Sequence, residues 1–230
     1  MVRTGRWEGR RALVTGGNRG IGLAVVRMLA ELEMEVFLGS RDIDAGVAAA
    51  RGLDLPGITP VRIDVADPAS VAAAREELAP DGVDVLVNNA AVNPRGTPTS
   101  EQVELAWQTN TVGTWRVTQA FLTPMRARGW GRIVNVSTEV ATHGHERPGG
   151  GVYRTTKVAM NDMTRALAED LGGTGILLNA ISPGWCRSDM GGSSAPRSAE
   201  QGAASIVWGV TLPDDGPTGG YFQDGEPLPW

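Results

Sequence analysis

The run Tyr153-Arg154-Thr155-Thr156-Lys157 sets a phenol and an ammonium four residues apart, so that in a helix both reach the same side. An ammonium beside a phenol favours the phenolate and draws its pKa down from about 10, which allows proton exchange near neutrality. Taken alone, the spacing is common and fits ordinary surface-helix chemistry better. What decides is whether the rest of the chain builds a site around the pair.

A second constellation lies near the start of the chain. Thr15-Gly16-Gly17-Asn18-Arg19-Gly20-Ile21-Gly22 follows an apolar run and opens a helix through Leu23, Val26, Leu29 and Ala30. Gly16 can supply the positive φ of a tight turn, Gly20 lets backbone N–H groups approach a phosphate, and Gly22 lets the helix pack closely on a sheet. The spacing Gly-x-x-x-Gly-x-Gly differs from the common Gly-x-Gly-x-x-Gly fingerprint, but its place between strand and helix points to a dinucleotide pyrophosphate. The second strand ends in Gly39-Ser40-Arg41, where an acid would stand if the ribose carried a free 2′-hydroxyl. Arg41 and Arg19 instead suit a 2′-phosphate; the competing reading is two solvated arginines. Asp42 comes one step late for the ribose acid and reads as a helix start.

The elements that must carry these residues recur in a regular order. Short apolar runs at Ala12 to Thr15, Glu35 to Gly39, Val61 to Val65, Val83 to Asn88, Arg132 to Ser137 and Ile176 to Ser182 read as strands buried on both faces. Amphipathic helices separate them, with starts marked by Asp67-Pro68 and by Thr99 with Gln102. Strands alternating with crossover helices predict an α/β doubly wound parallel sheet, Rossmann-like and in a single domain. Beyond Gly184 the pattern loosens into a lid over 185–217 containing one helix, Ser198 to Val207, and Gly219 to Trp230 adds a possible edge strand.

Composition narrows the partners. A chain of 230 residues with a net charge of -5 has no basic footprint for nucleic acid or an anionic membrane. The single cysteine, Cys186, excludes an internal disulfide framework and suits a reducing compartment. There is no apolar run of about 18 residues and no apolar signal segment at the start, so the expected location is cytoplasmic.

Taken together, the motifs resemble the short-chain dehydrogenase/reductase family over nearly the whole chain. The match rests on Thr15 to Gly22, Asp64-Val65, Asn88-Asn89-Ala90-Ala91, Asn110, Gly131 to Thr138, the Tyr153/Lys157 pair, and Pro183-Gly184 with Ser188. The ending Thr218 to Gly225 is similar to the carbonyl reductase branch. The resemblance implies an NADP(H)-dependent oxidoreductase acting on a small-molecule carbonyl or alcohol, with the reduction of a ketone or aldehyde as the leading direction. A dinucleotide-binding regulatory protein without turnover is the competing class.

The resemblance further implies that Tyr153 protonates the carbonyl oxygen, that Lys157 holds the nicotinamide ribose, and that Asn110 anchors a proton-relaying water. The glycine-rich loop from Gly16 through Asn18, Arg19, Gly20 and Ile21 to Gly22 would hold phosphate, with Arg41 beside it. Asp64 and Val65 would flank adenine, Asn89 and Ala90 the adenosine ribose, and Pro183, Gly184 and Ser188 the carboxamide side. Ala91 stands where the family's usual glycine would be. Thr138 rather than Ser137 takes the place of the family's serine, with Ser137 expected to bond backbone in the turn that follows.

His143 and His145 lie near the expected substrate and read as loop or pocket residues, since no further ligands have metal-site spacing. Trp107 and Trp115 on the long helix around Asn110, with Met160 and Met163, are equally readable as internal core or as a helix-to-helix face of a homodimer or homotetramer.

Overall fold

A strand that alternates two apolar faces needs a helical layer on each side, and the chain supplies both layers. The computed structural model describes residues 6–79, 81–142 and 151–230. Its elements run β1 (Arg11–Thr15), α1 (Gly20–Glu31), β2 (Glu35–Ser40), α2 (Ile43–Leu53), β3 (Ile58–Arg62), α3 (Pro68–Glu77) and β4 (Val85–Asn88). They continue α4 (Ser100–Trp107), a π-helical segment (Gln108–Gly113), α5 (Thr114–Arg128), β5 (Gly131–Val136), α6 (Gly151–Asp170), β6 (Ile176–Ile181), α7 (Ala199–Val210), β7 (Tyr221–Gln223) and β8 (Glu226–Pro227).

The strands form one sheet in the order β3-β2-β1-β4-β5-β6-β7-β8, parallel throughout except for the β7–β8 hairpin. Order reverses between β1 and β4, and the carboxyl ends of those strands open the crevice where such sheets bind ligands. Strand alternation sorts the core: Ala12, Val14, Val36, Leu38, Val85 and Val87 join α1 and α7 on one face. Leu13, Phe37, Leu86 and Ile133 join α3, α5 and the far end of α6 on the other. The doubly wound reading therefore holds.

Two elements differ from expectation. β3 begins three residues earlier than the apolar run suggests, because Ile58 already pairs with Val36 and Pro60 sits opposite Leu38. A proline is tolerated there because β3 is an edge strand with no outer neighbour among the described residues. The long helix around Asn110 is broken by the π-helical turn, a feature that commonly redirects a carbonyl or side chain at a functional position.

Candidate active site

The glycine-rich loop is held as one rigid piece with the loop after β4. Thr15 Oγ1 accepts hydrogen bonds from the N–H groups of Asn89 (3.0 Å) and Ala90 (3.1 Å). In return the Asn89 amide donates to the carbonyls of Thr15 (2.9 Å) and Gly16 (3.0 Å). Gly16 and Gly20 both adopt positive φ, at 63° and 54°. A Cβ on Gly22 would lie 2.3 Å from the Gly16 carbonyl oxygen and 2.5 Å from Asn89 Nδ2, so only glycine allows α1 to start this close to the loop. No side chain caps α1, which leaves its first N–H groups facing the crevice and available to an anion.

At the β2 end, Ser40 is buried and its hydroxyl donates to the Asp42 carbonyl at 2.6 Å. Asp42 does cap a helix: its carboxylate accepts from Asp44 N–H (3.0 Å) and Ala45 N–H (3.3 Å) at the start of α2. Arg41 is exposed and lines the cleft between them. Arg19 is paired at 2.9 Å with Asp189, which comes from the segment after β6.

The proton-transfer pair stands at the other end. α6 places Lys157, the chain's single lysine, against the end of β5, where its ammonium donates to the Val136 carbonyl at 2.6 Å. The side chain is 1% exposed and has no carboxylate partner among the described residues, and burial draws its pKa down to about 7. Lys157 Nζ lies 5.9 Å from the centre of the Tyr153 ring. The Tyr153 phenol is pushed upward, first by burial and then by the neighbouring Tyr221. The shift runs opposite to the lowering expected of a phenol beside an ammonium, and its first cause is burial.

One cleft of about 480 Å³ joins these parts. Its walls include Gly16 to Gly22 except Gly17, then Arg41, Asp64, Val65, Asn89 and Ala90, and at the far end Tyr153, Lys157, Pro183 and Ser188. A nucleotide-sized groove thus runs from an uncapped helix start and an arginine to a tyrosine and a lysine. Residues 10–199 match the short chain dehydrogenase family. The chain belongs to that family.

Among the chain's relatives is "Carbonyl reductase [NADPH] 1" of Sus scrofa, 34% identical, covering 96% of this chain and 94% of the relative. The Mus musculus protein of the same name is 33% identical over 95% of this chain and 98% of its own length. The alignment to the Sus scrofa protein runs over 276 positions, so that relative carries segments with no counterpart in these 230 residues. A solved structure described as a short chain dehydrogenase/reductase family protein superposes with a TM-score of 0.86 at 34% identity, covering 94% of this chain and 96% of that one. An NADPH-bound carbonyl reductase from chicken fatty liver gives 0.87 at 27% identity, covering 97% and 95%.

Three residues expected in the dehydrogenase site do not line the cleft: Asn110, Thr138 and Gly184. Asn110 is fully buried and its amide is taken up, accepting from Val92 N–H (2.9 Å) and donating to Val92 O (2.8 Å) and Thr156 Oγ1 (3.0 Å). It ties the loop after β4 to α6 directly behind the Tyr153/Lys157 pair. Gly184 has φ 71° and turns the chain out of β6, where a Cβ would meet Arg197 Cδ at 2.6 Å. Thr138 is partly exposed just past β5, and its hydroxyl has no hydrogen-bond partner among the described residues. Ser137 does line the cleft; 2% exposed, it donates to Asn161 Oδ1 at 2.7 Å, a side chain on α6 rather than the backbone expected.

The expected lid is shorter in the structure. α7 is core, packed on α1 through Ala203, Ile206 and Val207. Residues 211–217 lie at the opposite end of the sheet, where Asp214 accepts from the buried Arg132 (2.6 Å) and from Trp130 Nε1 (3.0 Å) near the start of β5. From the stretch up to Arg197, Ser188, Asp189 and Met190 line the cleft, held by Arg19 to Asp189 and by Arg95 donating to the carbonyls of Asp189 (3.0 Å) and Met190 (3.2 Å). Asp189 and Met190, both cleft-lining, were not legible as site residues because their loop has no periodicity. Met160 is core, touching Lys157 through its sulfur, whereas Trp115 is exposed. His143 and His145 lie outside the described residues. No helix among the described residues is long and apolar enough to cross a membrane.

Proposed function

We propose that the protein is an NADPH-dependent reductase that delivers a hydride to a ketone or aldehyde carbonyl, with Tyr153 as general acid. The observation that carries this reading is the single cleft joining the glycine-rich loop and Arg41 to Tyr153 and Lys157. When bound, the nicotinamide supplies the hydride. The uncapped start of α1 receives the pyrophosphate, and Arg41, with Arg19 where it is released from Asp189, meets the 2′-phosphate. The cofactor names carried by the Sus scrofa relative and the chicken structure agree with this donor set.

Asp64 has one carboxylate oxygen accepting from Ala66 N–H at 3.0 Å and keeps the other for adenine, flanked by Val65. Asn89 braces the loop with its amide, so it serves the ribose side through its position together with Ala90. Lys157 holds the nicotinamide ribose hydroxyls and, poised near neutrality, returns a proton to Tyr153. Asn110 acts by position; its amide is occupied, so a relaying water would be held by the second lone pair of its main-chain carbonyl, which also accepts from Thr114 Oγ1 at 3.0 Å. Ser188, whose hydroxyl accepts from Gly191 N–H, stands with Pro183 at the carboxamide side. Thr138 supplies the second hydroxyl to the substrate oxygen because Ser137 is committed to Asn161.

The oxidative direction, an alcohol dehydrogenase, uses the same residues. Exposed Leu105, Val112 and Trp115 on and between α4 and α5 support a homodimer through that face. An NADPH-oxidation assay over a panel of ketones, aldehydes and quinones tests the function. Tight NADPH binding with no turnover on any of them would favour a regulatory protein instead.

A further inference from the structure

Strand β5 stops being held by its neighbour at Ser137, whose N–H donates to the Ile181 carbonyl of β6 at 2.7 Å. Thr138 comes next, in extended conformation (φ -160°, ψ 143°), and no strand ladder reaches it. Its carbonyl nevertheless has two donors. Ala141 N–H reaches it at 2.9 Å to close the short turn Glu139–Ala141, and the phenol of Tyr221 donates to it from β7.

Tyr221 is well placed to act as a fixed point. Its backbone pairs with Ala180 of β6, its side chain is 1% exposed, and Trp230 packs on its ring at 5.6 Å. Burial pushes its pKa up to about 12, so the phenol is a donor throughout the neutral range. Beside it, Ser137 donates to Asn161 Oδ1. Two successive residues are thus held, one by its hydroxyl and one by its carbonyl, and the Thr138 hydroxyl has no hydrogen-bond partner among the described residues.

We infer that Tyr221 is a positioning residue, which by fixing the carbonyl of Thr138 aims the Thr138 hydroxyl at the substrate oxygen that Tyr153 protonates. This rests on the proposed reading of Thr138. The peptide that follows Thr138 cannot turn without breaking the phenol bond, and a misplacement of about 1 Å at a reacting group can cost as much as 100-fold in rate. Loss of one of two anchors is expected to cost about tenfold.

The test is a double-mutant cycle on kcat with NADPH and the best carbonyl substrate, using Tyr221→Phe, Thr138→Val and the pair. Tyr221→Phe keeps the ring under Trp230, so NADPH affinity within twofold of the original and a nearly unchanged melting temperature are expected. The inference predicts that Tyr221→Phe lowers kcat about tenfold in the original protein and leaves it unchanged in the Thr138→Val background. A merely structural phenol would cost the same factor in both backgrounds, and that result, or no loss in either, would overturn the inference while leaving Thr138 in its role. Full activity in Thr138→Val alone would instead overturn the assignment of the hydroxyl on which the inference rests.

Discussion

Replacing Gly22 by alanine adds one methyl at the most crowded point of the cofactor loop. The new carbon would sit 2.3 Å from the Gly16 carbonyl oxygen and 2.5 Å from Asn89 Nδ2, roughly 1 Å inside ordinary contact. Neither obstacle is a flexible side-chain tip: one is backbone, and the other is held by hydrogen bonds to Thr15 and Gly16. Relief requires α1 to move outward or the Asn89 bonds to break. Overpacking costs about 1 to 3 kcal/mol and each neutral hydrogen bond about 1, offset by nearly 1 for alanine over glycine in a helix. The net is roughly 1 to 3 kcal/mol, a fall in melting temperature of about 3 to 10 °C for a chain of this size. NADPH affinity should drop at least tenfold as the loop N–H groups shift. Gly52→Ala is the control, because a Cβ there meets nothing within 4 Å, and it should leave both quantities unchanged or slightly improved. Thermal melts and NADPH titration read the result. A Gly22→Ala protein that melts and binds like the original would refute the close-approach argument.

Arg41→Ala removes an exposed guanidinium from the cleft and should lower NADPH affinity about 10- to 100-fold while barely altering NADH, as read by fluorescence titration of both. Equal affinity of the unaltered protein for the two cofactors would remove the basis for the 2′-phosphate assignment. Stability should also depend on pH in a defined way. Lys157 is neutral in the native chain above about pH 7 but protonated in the unfolded chain up to the usual lysine range, so the unfolded state binds the extra proton. Stability therefore rises with pH across that window, then falls above about pH 10, where unfolded phenols ionise and the raised native ones, Tyr153 and Tyr221, do not. Urea midpoints without nucleotide should trace this curve, and Lys157→Met should abolish the rise; a rise that persists in that variant would locate it elsewhere.

The parts of this fold that sequence patterns reveal are those fixed locally. The glycine loop, the capping of α2 by Asp42 and of α4 by Thr99, and the Tyr153/Lys157 spacing each depend on residues within a turn or two of one another. The strand order follows because continuous apolar runs separated by helices permit few topologies. The early start of β3 was hidden because proline argues against a strand, and only the sheet order reveals that the strand lies at an edge. The environment of Tyr153 is hidden for a related reason: spacing along a helix tells which groups are close, but not how dry the space between them is, and burial is the first cause of the shifts at both Tyr153 and Lys157. Asn89 on the glycine loop, Ser137 on Asn161 and Tyr221 on Thr138 join residues 24 to 83 positions apart, contacts that exist only once the sheet is assembled. The glycine- and proline-rich stretch over 185–217 looks uniform in sequence, yet α7 within it is core.

The central claim is that Tyr153 delivers the proton in a cleft that holds NADPH, and Tyr153→Phe tests it most directly. The substitution keeps the ring and removes the acid, so kcat for the best carbonyl substrate should fall by about two to four decades while the NADPH dissociation constant stays within a fewfold of the original. A phenylalanine variant that turns over at the original rate would contradict the account, because the proton would have to come from another group.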